Sequence, residues 1–182
     1  MQNNALKIRI IGDPVLRKRS KAIHRVNDYQ RVVLSKMAHL MYENAGIGLA
    51  APQVGINERM IVADIGSGLY KLINPRIIET QGRQVIQEGC LSVPNICIKV
   101  KRAKKVVVSA EDENGKPLTV EAKDLLACVF QHEIDHLDGK LIIDYVSLLE
   151  RLKISRKARA LKKDERDKEL RQPETKSCKL QL

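Results

Sequence analysis

His132, Glu133 and His136 are the residues of this 182-residue chain whose types and spacing carry the plainest chemistry. On an α-helix, side chains four positions apart lie on one face about one turn, roughly 6 Å, from each other, so both imidazoles can grip the same cation. Glu133 is rotated only about 100° from His132, which lets its carboxylate reach a water at an open coordination position. Together they form the machinery of a metal-dependent hydrolase. The competing reading is a core helix with two hydrogen-bonded histidines. It is the weaker one, because burying two imidazoles and a carboxylate without partners is costly.

A catalytic site of this kind takes three protein ligands and leaves one position for water. A third histidine six residues after His136 would complete one known arrangement, but that position is Ile142, and no histidine follows His136. A carboxylate from a following helix would complete another, with Glu150 the first candidate and Asp144 the next; that reading makes the chain an HExxH metallopeptidase. The four cysteines are the other source. Cys128 shares the helical stripe but lies about 12 Å along the axis from His136, too far for one ion. Cys178 lies in a polar tail. Cys97 is seven residues from Cys90, and on one regular strand the two would face opposite sides. Cys90, in Glu88-Gly89-Cys90-Leu91-Ser92-Val93-Pro94, is the best candidate, with Gly89 allowing close approach.

Three runs now stand in order: Gly46-Ile47-Gly48-Leu49-Ala50-Ala51-Pro52-Gln53-Val54-Gly55, Glu88-Gly89-Cys90-Leu91-Ser92, and Gln131-His132-Glu133-Ile134-Asp135-His136. In this the chain resembles the peptide deformylases over roughly residues 5 to 160. The resemblance implies removal of the formyl group from the formyl-methionine of nascent polypeptides. It also implies Cys90, His132 and His136 as metal ligands, Glu133 as general base and acid, and the Gln53 side-chain amide with the Leu91 backbone N–H as oxyanion donors. Fe²⁺ is the working ion it implies, with Zn²⁺, Ni²⁺ or Co²⁺ able to take the site. Ligand types alone suggest zinc. One departure is Asn95, which stands where many members of the family have glycine.

The segment Gly46-Ile47-Gly48 has two readings that hold together. Gly46 is placed to cap a helix over residues 29 to 45, where Val32, Val33, Met37, Leu40 and Met41 recur at helical spacing. Resemblance adds that the following backbone pairs with an extended peptide substrate as an added strand, with small residues permitting the approach. Ile47, Leu125, Cys128 and Val129 are candidates to line an apolar slot for the methionine, though core packing explains Leu125 and Val129 equally well. Glu88 is expected to anchor the cysteine-bearing segment through Arg102.

These residues must be held by a frame. Residues 124 to 138 read as one helix ending at Gly139. Strand patterns run over Met60 to Asp64, Leu69 to Ile73, Arg83 to Gln87, Ile96 to Val100 and Val106 to Ala110, with turns at Asn74-Pro75 and Asp112-Glu113-Asn114-Gly115. Helices flank this block instead of alternating with its strands, so the class is α+β. The resemblance implies antiparallel sheets around a central helix carrying His132 to His136, with a C-terminal helix.

Length and a 43% hydrophobic content fit one core, read as a catalytic domain over residues 1–149. Residues 150–182 read as a basic helix and a tail that lacks order beyond Pro173. From Arg151 onward, twelve Lys or Arg stand against five Asp or Glu, a net +7 of the chain's +11. A solvated face is the plain reading, and ribosome docking the functional one, because phosphates attract basic segments. No stretch reads as a signal peptide or membrane span, and the cysteines lack a paired pattern. The expectation is a cytoplasmic protein, monomeric, without DNA or membrane as partner.

Overall fold

The computed structural model describes residues 6–154. Seven strands follow one another as β1 (Gly48–Ala50), β2 (Met60–Ala63), β3 (Tyr70–Gln81), β4 (Gln84–Cys90), β5 (Val93–Arg102), β6 (Lys105–Glu111) and β7 (Pro117–Lys123). Helix α1 (Asp28–Glu43) precedes them and α2 (Asp124–Leu137) follows them. Two sheets result, one with the order β1-β2-β3-β6-β7 and the other the hairpin β4-β5, and every pairing between these strands is antiparallel. The fold is α+β.

Alternation decides which side chain faces which layer. In β2 all four residues are buried, because Ile61 and Ala63 join the core under α2 while Met60 and Val62 join the core under α1. A strand covered on both faces reads as an unbroken apolar run. In β5, Ile96, Ile98 and Val100 turn inward while Asn95, Lys99 and Lys101 are exposed, the pattern of a strand with one wet face. The inward residues build a third core with Cys90, Leu16 and the turn Leu141, Ile142 and Ile143. Helix α1 starts on a capping box in which Asn27 accepts from Tyr29 N–H and Gln30 reaches back to Asn27 N–H.

Several expectations change. Asn74-Pro75 is no turn: β3 runs through it, with a register shift between Ile73 and Arg76. Asn74 adopts φ 53°, and its side-chain amide bonds both backbone groups of Ile23, which fixes a bulge where a turn was expected. Helix α1 ends in a Schellman motif that places Ala45, not Gly46, in the left-handed region (φ 52°), with Gly46 N–H donating to Met41 O. Cys90 and Cys97 lie on two strands of one hairpin, so the single-strand argument separating them does not apply. Asn95 has φ 61°, a conformation that favours glycine and that asparagine tolerates.

Residues 148–154 are helical and start the expected C-terminal helix; the rest of the basic tail lies outside the described residues. Cys90 and Cys128 carry free thiols. No helix among the described residues is long and apolar enough to cross a membrane.

Candidate active site

Cys90 ends β4 at an irregularity in the pairing with β5, and His132 and His136 lie one turn apart on α2. The sulfur and the two imidazoles meet in the interior, with all three ligand atoms within 4.8 Å of one another. Cys90 Sγ stands 3.3 Å from His136 Nε2, which is 3.2 Å from His132 Nε2. Three buried donors of this kind converging on one point fit a divalent cation, so the cluster is a single metal site. The carboxylate alternatives are occupied elsewhere. Glu150 caps the helix at 148–154 by accepting from Ser147 N–H and Oγ–H, and Asp144 pairs with Arg17 and Arg151.

Around the cluster the partners are specific. Glu88 Oε2 lies 3.0 Å from His132 Nδ1, and Arg102 donates to both oxygens of the same carboxylate, from Nε at 2.7 Å and Nη2 at 2.9 Å. Burial alone would raise the Glu88 carboxyl, but hydrogen bonds from Arg102 and His132 outweigh it and hold it below its ordinary value. An ionised Glu88 only accepts, so His132 donates from Nδ1 and directs its Nε2 lone pair into the cluster. Burial, then the His132 neighbour, pushes His136 well below the ordinary imidazole range, leaving it in the neutral form that ligates metal. Burial, then Glu133, pushes the Cys90 thiol up, a cost that a bound cation reverses by taking the thiolate.

Glu133 is fully buried, and neither carboxylate oxygen has a hydrogen-bond partner among the described residues. Burial first and the Glu88 charge second push it well above the usual carboxylate range. Gly48 makes room for it: a Cβ there would lie 2.3 Å from Glu133 Oε1 and 2.9 Å from Val129 Cγ1. On the far side, a Cβ at Gly46 would sit 3.1 Å from the Leu91 side chain. The 46–48 backbone therefore threads between the Cys90-Leu91 turn and the Glu133 carboxylate. Gln53 is fully buried too; its Oε1 accepts from Ala50 N–H at 2.7 Å, which turns its Nε2 toward Cys90 Sγ at 3.7 Å.

Gly46, Ile47, Gly48, Gln53, Cys90, Leu91, Val129, His132, Glu133 and His136 are thus gathered in one region. Ile47 and Leu125 are half-buried against the same core that contains Val129. Cys128 is buried away from the cluster, accepting from Gln84 Nε2. Asp135, Gln131 and Tyr145 were not anticipated from sequence. Gln131 clamps Ala103 with its Oε1 on the N–H and its Nε2 on the carbonyl, tying α2 to the connection after Arg102.

The family model for polypeptide deformylase matches residues 5–152. The chain belongs to the peptide deformylase family. A peptide deformylase of Halothermothrix orenii is 50% identical over 143 residues, covering 78% of this chain and 93% of that protein. Among solved structures, a peptide deformylase from Legionella pneumophila superposes with a TM-score of 0.85 at 38% identity, covering 93% of this chain and all of that one. One from Synechococcus elongatus, in complex with actinonin, gives 0.80 at 40% identity, covering 88% and 90%. Deformylases are metal-dependent hydrolases that remove the formyl group from the N-terminus of new polypeptides, and this chain is an enzyme of that class.

Proposed function

We propose that Cys90, His132 and His136 hold the catalytic cation, that Glu133 moves the protons, and that Gln53 and the Leu91 N–H receive the developing oxyanion. The observation that carries this reading is the Glu133 carboxylate, buried without a partner beside the three converging ligand atoms. A cation held there supplies Lewis acidity and water acidified toward neutrality. Glu133, with its proton affinity raised by burial, is the chain's own group placed to take a proton from the attacking water as that water adds to the formyl carbon. Negative charge then gathers on the formyl oxygen, where the Gln53 amide, held from behind by Ala50 N–H, is already aimed. Glu133 passes its proton to the departing amine, and formate and a free N-terminus result. Following the family resemblance, the working ion is Fe²⁺.

The substrate enters as an added strand. β1 is an edge of its sheet, paired among the described residues with β2 alone, so the main chain around Gly48, before the Ala50 N–H that Gln53 occupies, is available for bonds that read no side chains. Ile47, Leu125 and Val129 offer the methionine an apolar wall. The protein acts as a cytoplasmic monomer, and the basic segment from Arg151 onward docks it to ribosomal RNA. Truncation after Leu149 is expected to weaken ribosome co-sedimentation at low salt; unchanged co-sedimentation of a folded truncation would discard the docking role.

Formate release from formyl-Met-Ala-Ser by anaerobically purified protein tests the catalytic reading, with metal content measured on the same sample and Glu133→Ala as control. Metal-dependent release that disappears in the variant is expected. A folded, fully metallated protein that released none would overturn it.

A further inference from the structure

Behind the His132 imidazole, a line of polar contacts leads out of the core. Glu88 accepts from His132 and from two arms of Arg102. The third arm, Nη1, reaches Asp135 Oδ2 at 2.5 Å and the Tyr145 hydroxyl at 3.1 Å. That hydroxyl in turn donates to Asp135 at 2.6 Å, and the Tyr145 ring lies 4.8 Å from Arg102 Cζ. Arg102 is 5% exposed and Tyr145 41%, so the ring stands between the guanidinium and solvent.

We propose that Tyr145 is a positioning residue for the metal centre, which holds Arg102 against Glu88 and thereby fixes the His132 ligand. The inference rests on Cys90, His132 and His136 being the ligands. Its physical basis is a charge imbalance. One guanidinium faces two carboxylates, Glu88 and Asp135. The Tyr145 hydroxyl gives Asp135 a second, neutral donor, which satisfies Asp135 without drawing Arg102 away from its two-armed grip on Glu88. The ring adds a cation–π contact and keeps water from competing for the same hydrogen bonds. Without Tyr145, the guanidinium is free to tilt toward Asp135 and water, and the carboxylate that orients His132 loses its own anchor. Partners one step beyond the ligands tune affinity by about 10- to 100-fold, and Tyr145 acts one step further out.

Its position also joins the metal centre to the end of the described chain. Ile142 and Ile143, in the same turn, pack in one core with Cys90, and the helix at 148–154 begins three residues after Tyr145. Since that turn is buried through its isoleucines, it does not need the Tyr145 side chain to stay folded. The segment leading into the C-terminal helix thus touches the site twice, through apolar packing on Cys90 and through the polar line to His132.

Release of Co²⁺ from the loaded full-length protein into excess chelator, followed by the thiolate and ligand-field absorption bands, tests this. Tyr145→Ala is expected to release the ion about 10-fold faster than wild type, with shifted bands, and Tyr145→Phe, which keeps the ring, about 3-fold faster. Leu149→Ala, a 74% exposed neighbour outside the line of contacts, is expected to match wild type. Wild-type release rates in both tyrosine variants would overturn the proposal, as would equal acceleration by Leu149→Ala. Tyr145→Phe keeps the question decidable if Tyr145→Ala does not fold. Should His132→Ala retain Co²⁺ as wild type does, the ligand assignment itself fails and the proposal falls with it.

Discussion

Among the described residues, Glu133 differs from the other buried acid, Glu88, in having nothing to bond. Glu88, equally buried, is matched by Arg102 and His132, a contrast that agrees with the proposed division of the two carboxylates into an orienting group and a proton carrier. Replacing Glu133 with Gln keeps the shape and removes the proton traffic, so kcat is expected to fall by about 10²- to 10⁴-fold with metal content unchanged by elemental analysis. Gln53→Ala removes one of the two proposed oxyanion donors, and a loss of about 10²- to 10³-fold in kcat is expected from steady-state formate release. Both residues were legible in sequence because each lies in a short run whose spacing is itself the signal. The contacts of Tyr145 and Asp135 were not. Their role comes from meeting Arg102 across the fold, and no local pattern announces such a meeting.

The elements were legible where one rule governed them. Helix α2 has a periodic face and a glycine after its end, and β5 and β6 alternate cleanly. β7 went unread because Pro117 opens it and its exposed edge carries polar residues, and β1 because three residues are too few to show a period. Asn74 was read as a turn for good local reasons, and a side-chain bond to Ile23 overrode them. Two substitutions probe elements rather than single groups. Gly48→Ala places a methyl 2.3 Å from Glu133 Oε1, so either β1 or the carboxylate must shift; activity is expected to fall by about 10²-fold while circular dichroism is unchanged. Ala45→Gly relieves a left-handed alanine that costs roughly 1–2 kcal/mol, offset in part by about 0.5–1 kcal/mol of chain entropy. A net gain of about 0.5–1 kcal/mol is expected, raising Tm by about 1–4 °C in calorimetry.

Seen as one molecule, the cation site is where two layers meet. Cys90 comes from the β4–β5 hairpin, whereas His132 and His136 come from the helix that fills the five-stranded sheet. A cation held by all three cross-links these layers in the folded state, and the scattered ligands of an unfolded chain cannot match it. At a thousandfold excess over Kd, binding to the native state alone adds about 4 kcal/mol, which corresponds to roughly 8–16 °C in a chain of this size. Chelation of the loaded protein is therefore expected to lower Tm by about that much in differential scanning calorimetry. Cys90→Ala, which detaches the hairpin from the shared ion, is expected to erase most of the difference between loaded and chelated samples. Equal melting of loaded and chelated wild type would show that the two layers are held by their apolar cores alone, with the ion contributing to chemistry and nothing to the fold.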